Sequence, residues 1–339
     1  MASPSLSDIA ERVGVSKMTV SRALRGGRHV SSELRKRIEA AARSMGWQPD
    51  PEIARLMTRL RTGRRALEAP ALAFVWSDRR DTVPPSPWGA ELFEGATRRA
   101  TELGYQLEEF HLKARGMNGR RLSEVLLARG IRGLILSPLI SRSRARVPIR
   151  WEDFSSVVIG LGYARPELHR VHHHHFLGMM TALRVLRRQG YRRIGFYSER
   201  TVNERMFGAW AASFLTHHPL PPTQASELLR LVRRSAREDF LDWLRQTRPE
   251  VVIDSGQRCL NWMGDLPAAD RAQACTLSWS RDRPELGGID QQAAVLGAAA
   301  VDLLAEQVGS NARGVPEHPK IVMTAGAWRD PAQAATGFS

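Results

Sequence analysis

The sequence predicts an N-terminal all-α helix-turn-helix domain followed by an α/β domain of two subdomains. Three features lead there. Residues 6–24, LSDIAERVGVSKMTVSRAL, read as two short capped helices around a glycine turn. The formal charge of +15 is uneven: residues 1–65 hold 14 Lys and Arg against 6 Asp and Glu, or +8 in about a fifth of the chain. From residue 71 the pattern changes to alternating strands and helices, and it restarts near residue 175.

The first helix is expected over residues 6–13, with Ser5 as cap and Asp8 as its capping-box partner. Gly14 breaks it, because the turn needs positive φ. Ser16 caps a second helix over 17–24. Ile9, Val13, Val15, Val20, Ala23 and Leu24 supply a core, and small Ala10 lets the helices cross closely. Lys17, Met18, Ser21, Arg22 and Arg25 fall on the opposite face. A short helix with Lys, Ser and Arg outward is what a DNA major groove accepts. The bland alternative is a helical hairpin with a solvated charged face, and the concentrated charge favours an anionic partner. A third helix is expected over 32–45, capped at Ser31, with an apolar stripe of Leu34, Ile38, Ala41, Ala42 and Met45, ended by Gly46. Pro49 and Pro51 punctuate the chain. Residues 52–61 then read as a basic amphipathic helix with nothing of its own to pack on, stable only when docked on a partner, another chain or DNA, or else as a plain linker helix.

Beyond residue 70, strands are expected at 71–76, 105–110, 133–136, 156–160, 193–197, 251–254, 272–278 and 320–324. Helices are expected at 90–103, 122–129, 176–189, 204–215, 236–246 and 291–307. Repeated strand–helix units imply parallel sheets covered on both faces, with ligands at the carboxyl ends of the strands in a cleft. The expected organisation is 1–48 for the helix-turn-helix domain, 49–68 for a hinge helix and linker, and 69–339 for the rest. Within the last part, one lobe spans about 69–160, a second about 163–320, and a final segment crosses back.

With 42% hydrophobic and 25% charged residues the composition is that of a globular protein. No run of about 18 apolar residues suggests a membrane span, and no signal peptide is read, so the cytoplasm is the expected compartment. Two cysteines, Cys259 and Cys275, make neither a disulfide framework nor a metal motif. No cofactor is expected.

These stretches resemble the lac-repressor (LacI) family of bacterial transcription regulators. The resemblance is strongest in LSDIAERVGVSKMTVSRAL and in HVSSELRKRIEAAARSMGWQPD at 29–50. Weaker similarities follow in order: WGAELFEG from Trp88, GYRRIGF from Gly190, Arg205 with Gly208, and GAWRD from Gly326. The resemblance implies a homodimer on a pseudo-palindromic operator in double-stranded DNA. It also implies a periplasmic-binding-protein-like effector domain sensing a small molecule, a carbohydrate in most of the family, and a repressor rather than an enzyme. Lys17, Met18 and Arg22 fall where the family reads base edges. Ser7, Ser16, Thr19, Ser21, Arg25, His29 and Ser31 fall where it mostly touches phosphates. Leu56 falls where a hinge helix wedges the minor groove. The linker DPEIARLM is shifted by one from the commoner pattern, which leaves Met57 as an alternative wedge. No heptad-bearing tail follows, which favours a dimer over a tetramer.

The effector-site candidates are Trp88, His173, His174, Arg205, Gln257 and Asp290. His173 and His174 stand where the family usually has Asp-Asn, inside four consecutive histidines at 172–175. Strand residues alternate in direction, so at most two of these reach one metal ion; lining a ligand, crossing a hinge or sitting in a solvated loop are the other readings. Histidines in a cleft would tune binding near pH 6–7. Gly256 and Gln257 stand where the family has Asn-Asp, so its sugar-binding carboxylate is missing; Asp254 is three residues away. Trp88 suits stacking on a sugar face or a place at a subunit edge, and Arg205 a ligand contact or an ion pair. An alternative function is a DNA-binding regulator that has lost small-molecule sensing and answers to a protein partner or to abundance. An enzyme using residues 172–175 lacks a nucleophile–base pair, phosphate loop or paired carboxylates.

Overall fold

A computed structural model describes residues 6–24, 31–45, 69–77, 86–112, 114–138, 148–162 and 165–331. The chain forms two compact units, Met1–Leu67 and Glu68–Ser339. Leu56, Met57 and the expected hinge helix lie outside the described residues, as do Ser5, Arg25 and His29.

The first unit holds α1 (Leu6–Val13), α2 (Lys17–Leu24) and α3 (Ser32–Ser44). Gly14 takes φ +74° and donates its N–H to the Ala10 carbonyl at 2.9 Å, which closes α1 and starts the turn. Ser16 Oγ accepts from the Thr19 N–H at 3.1 Å, and Ser31 Oγ from the Leu34 N–H at 3.3 Å. Both are N-caps that satisfy otherwise orphaned amides. Ile9, Ala10, Val20, Ala23, Ile38 and Ala42 are buried together. This small core fixes the angle between α1 and α2 and leaves the opposite side of α2 outward.

The second unit runs β1 (Ala71–Trp76), α4 (Pro87–Glu102), β2 (Gln106–His111), α5 (Gly119–Ala128), β3 (Gly133–Leu136), β4 (Ser155–Ile159) and β5 (His169–His173). It continues with α6 (His175–Arg188), β6 (Ile194–Glu199), α7 (Arg200–Arg205), α8 (Ala209–His217), α9 (Pro222–Glu227), β7 (Leu229–Val232) and α10 (Arg237–Thr247). Then come β8 (Val251–Asp254), α11 (Cys259–Met263), β9 (Gln273–Thr276), β10 (Gly287–Asp290), α12 (Ala293–Ser310), β11 (Ile321–Thr324) and β12 (Ala327–Arg329). One sheet has the order β11-β5-β4-β3-β1-β2, with every pairing parallel. The other has the order β12-β10-β9-β8-β6-β7, antiparallel only where β12 joins β10. Separate apolar clusters cover both faces of each sheet, as parallel strands require.

Sheet pairing redraws the expected lobes of 69–160 and 163–320. β5 pairs with β4, so residues 169–173 belong to the first lobe. α12 packs on that same lobe, and β11 adds to its sheet. The chain therefore passes between lobes three times: at His174, at Gln291–Gln292 and at Ala325–Gly326. β5 escapes a hydropathy reading because its sequence is HRVHH, with only Val171 and His173 buried. The expected helix over 204–215 is two helices. Phe207 at φ +52° and Gly208 at φ +73° reverse the chain between them, and Asn203 Oδ1 ties the turn by accepting from the Ala211 N–H at 3.1 Å.

α12 is apolar on nearly all sides because it lies between the sheet and α4. The two helices cross where glycines meet. A Cβ on Gly95 would stand 2.1 Å from the Ala294 carbonyl oxygen, and one on Gly297 2.1 Å from that of Leu92.

Candidate functional site

Two surfaces carry the chemistry, one on each unit. On the first, Lys17 and Met18 lie exposed at the start of α2, Met18 at 63%. An exposed methionine between basic and hydroxyl residues is costly in water, and it suits an apolar contact with a base methyl. Ser16 and Ser31 are exposed, Thr19 and Ser21 half-buried. The Ser16 and Thr19 hydroxyls stand 2.9 Å apart, so both serve the helix cap. Arg22 is on α2 and Ser7 on α1, but their side chains lie outside the described residues.

On the second unit a cavity of about 180 Å³ opens between the lobes. The first lobe contributes Trp88 from the start of α4, the end of β4 and His172 with His173 from β5. The second contributes His175, Arg205 at the end of α7 and Met206, and Gln291 stands in the second crossover. Trp88, His173 and Arg205 all line this cavity. His174, Gln257 and Asp290 are not among its described lining residues.

Each of those three has local work. His174 Nδ1 caps α6 by accepting from the Leu177 N–H at 3.3 Å. Gln257 adopts φ +56° and donates Nε2–H to the Ser278 carbonyl. Asp290 Oδ1 accepts from the Gln292 N–H at 2.8 Å, and its Oδ2 pairs with Arg329 at 3.0 Å. The carboxylate of Asp254 likewise turns inward, accepting from the backbone N–H groups of Gly256, Arg258 and Cys259. Most of the acceptor capacity of these two carboxylates is thus taken up within the protein.

The histidines form a packed cluster. His175 lies edge-on to His173 with centroids 5.2 Å apart, edge-on to Trp210 at 5.3 Å, and stacked over His172 at 6.0 Å. His173 is 2% exposed. A Cβ on Gly178 would meet its Nε2 at 2.6 Å, and one on Gly326 its Cε1 at 2.7 Å. His173 is therefore wedged against the helix after the first crossover and against the strand after the third. Its contact with the cavity is secondary to that hinge packing. Burial first, then neighbouring imidazoles, pushes the His173 pKa down to about 4 and that of His175 to about 3. Burial also lowers that of His172. This overturns the expectation of titration near pH 6–7 for His173 and His175: both are neutral there, because the cluster is too dry to hold a proton. Among the described residues no group of three His, Cys, Asp or Glu is placed to hold a metal ion.

Sequence reasoning singled out residues 172–175 but chose 173 and 174, whereas 172 and 175 join 173 at the cavity. His172 and His173 end β5 and His175 starts α6, so the three meet at the first crossover between the lobes. Gln291 carried no signal of its own. It is held from the second lobe, donating Nε2–H to the Leu277 carbonyl at 2.8 Å and to Ser278 Oγ at 3.0 Å. Outside the cavity an ion pair joins the lobes, with Arg281 Nε 2.9 Å from Glu91 Oε1.

Residues 5–50 match the family model described as bacterial regulatory proteins, lacI family. The HTH-type transcriptional regulator GntR of Pseudomonas aeruginosa (strain PAO1) is 40% identical over 70 residues, which cover 21% of this chain and 20% of that one. The match thus spans about a fifth of that relative's length. Among solved structures, a transcriptional regulator CelR–cellobiose complex superposes with a TM-score of 0.54 at 18% identity, covering 96% of this chain and 98% of that one. A lac repressor dimer bound to operator and the anti-inducer ONPF gives 0.51 at 17% identity, covering 97% and 98%. At such identities the likeness is one of fold: a helix-turn-helix domain joined to a periplasmic-binding-protein-like pair of α/β lobes.

Proposed function

We propose that this chain, which carries the DNA-binding domain of the lacI family of bacterial regulatory proteins, is a sequence-specific transcription regulator, a repressor, working as a homodimer on a pseudo-palindromic operator. The observation that carries the reading is the outward side of α2, with Lys17 and Met18 exposed on a helix whose other side is locked into the core. Arg22 reads guanine through its O6 and N7. Lys17 does so less rigidly, and Met18 meets a thymine methyl. Ser7, Ser16, Thr19, Ser21, Arg25, His29 and Ser31 hold the phosphates, and Leu56 wedges the minor groove from the linker.

Operator affinity is set by a small molecule between the lobes. Three crossovers and a cavity joining both lobes support that reading, and a relative of this fold is named as a complex with cellobiose. Ligand held by Trp88 on one lobe and Arg205 on the other changes the angle between the lobes. That angle sets how two linkers pair, and so whether both α2 helices reach adjacent half-sites.

Arg22→Ala tests the base-reading assignment. Operator affinity is expected to fall by roughly 1–3 kcal/mol, about 5- to 150-fold, with nonspecific affinity retained. Binding to selected operator sequences, measured by fluorescence anisotropy at several salt concentrations, provides the check. A variant that still discriminates its operator as well as wild type removes Arg22 from the reading set.

A further inference from the structure

Resting on the reading that the angle between the lobes sets operator affinity, we propose that Asp290 and Arg329 are positioning residues of that response. They hold Gln292 in a left-handed backbone conformation and through it fix the lobe angle. The first ground is where the strain lies. Five non-glycine residues among those described have positive φ, and Gln292 is the one that stands at a passage between the lobes. It adopts φ +53° and ψ +62° where a helix N-cap is ordinarily extended, and its own side chain does not cap α12. That conformation is unfavourable for a residue with a Cβ, and it persists only where neighbours over-determine it.

The second ground is the set of groups that over-determine it. Asp290 Oδ1 accepts from the Gln292 N–H at 2.8 Å. Asp290 Oδ2 accepts from Nε and a terminal nitrogen of Arg329 at 3.1 and 3.0 Å. The Arg329 guanidinium lies over the Trp279 ring, 5.7 Å from its centroid. These residues all belong to the second lobe. The Gln292 carbonyl, by contrast, accepts from the N–H groups of Val295 and Leu296 at 2.9 and 3.1 Å, at the start of α12, which is packed into the core of the first lobe. Gln292 Nε2–H also reaches the Ala325 carbonyl at 3.3 Å, in the third passage. One residue is thus tied to the second lobe through its N–H and to the first through its C=O. Rotation about its φ and ψ swings α12, and the first lobe with it, against the second, and hinges work through a few such residues. The carboxylate of Asp290 is then a brace of the hinge, and Arg329 keeps it aimed at the crossover.

The test uses the full-length protein with nitroxides on Arg120→Cys in the first lobe and Gln246→Cys in the second. Both positions are exposed, and the native Cys259 and Cys275 are buried. Double electron–electron resonance, with labelled protein diluted in unlabelled protein, reads the distance between the lobes of one chain. Asp290→Asn keeps the shape and an acceptor for the Gln292 N–H but loses the charge that holds Arg329. Gln292→Gly removes both the strain and the bond to Ala325. Each is expected to broaden or shift the distance distribution and to lower affinity for a selected operator roughly 2- to 30-fold. Gln292→Gly is also expected to melt no lower than wild type, because glycine takes the left-handed conformation freely. A merely structural role would give the reverse, a lower melting temperature with an unchanged distance. Arg329→Gln, at a half-exposed guanidinium, carries the test if Asp290→Asn fails to fold. An unchanged distance in Gln292→Gly, or one changed there but by neither Asp290→Asn nor Arg329→Gln, overturns the inference. A changed distance with wild-type operator affinity leaves the brace standing and removes instead the reading that lobe angle sets affinity.

Discussion

Gly297→Val is expected to cost the larger unit at least about 3 kcal/mol, the upper end of what forced overpacking costs in a well-packed core. The new Cβ would lie 2.1 Å from the Leu92 carbonyl oxygen and 2.8 Å from the Ala96 nitrogen. Both are backbone atoms inside α4, so no side-chain rotation relieves the clash and the helices must separate. Separation opens the cluster in which Leu92, Ala96, Leu296, Ala300 and Val301 are buried together. For a domain of this size the melting temperature should drop by roughly 10 °C. Gly309→Ala, in the same helix with nothing within 4 Å of its added Cβ, should instead stabilise by up to about 1 kcal/mol. Differential scanning calorimetry of both variants decides the matter. Wild-type stability in Gly297→Val would mean that α4 and α12 do not cross at these glycines.

Stability should also fall steeply on acidification, beginning well before most carboxylates titrate. His173 and His175 hold folded-state pKa values of about 4 and about 3, below the ordinary 6.5. Between 6.5 and those values the unfolded chain binds protons that the folded chain refuses. Stability is therefore complete above pH 6.5 and is lost as the pH falls towards 4. At pH 5 each group removes on the order of 2 kcal/mol. Urea unfolding measured from pH 7.5 to pH 5 should show this slope, and His175→Phe, which keeps a ring against Trp210, should remove about 2 kcal/mol of it at pH 5. A flat profile over that range would mean that the cluster is hydrated and takes up protons in the folded state. The effect tells on function as well, because these rings pack the first crossover against the third.

The helix-turn-helix unit was legible almost residue by residue. Its signals are local: Gly14 where φ must be positive, Ser16 and Ser31 as caps, and an apolar period that matches a helix. Strands with continuous apolar runs, such as β1, β3 and β8, were legible for the same reason. The polar strand β5, the short strands β7 and β12 and the break at Phe207–Gly208 were not. Their stability comes from neighbours distant in sequence, β4 and β11 for β5 and β10 for β12.

The candidate effector site divides along the same line. Trp88 and Arg205 were visible as residue types at suggestive places, and both line the cavity. Asp290 and Gln257 were visible too, yet each turns to a partner that only folding supplies: Arg329 from the next strand of the sheet and the Ser278 carbonyl from an adjacent loop. Sequence alone determined the parts whose physics is short-range: helix period, caps, turn glycines, and the crowding of positive charge into the first fifth of the chain. Tertiary structure alone decided which lobe owns each strand, which histidines are too dry to titrate and which carboxylates are already engaged. Pairing, burial and hydrogen-bond commitment are properties of atoms brought together from residues a dozen to more than a hundred positions apart, beyond the reach of a local sequence pattern.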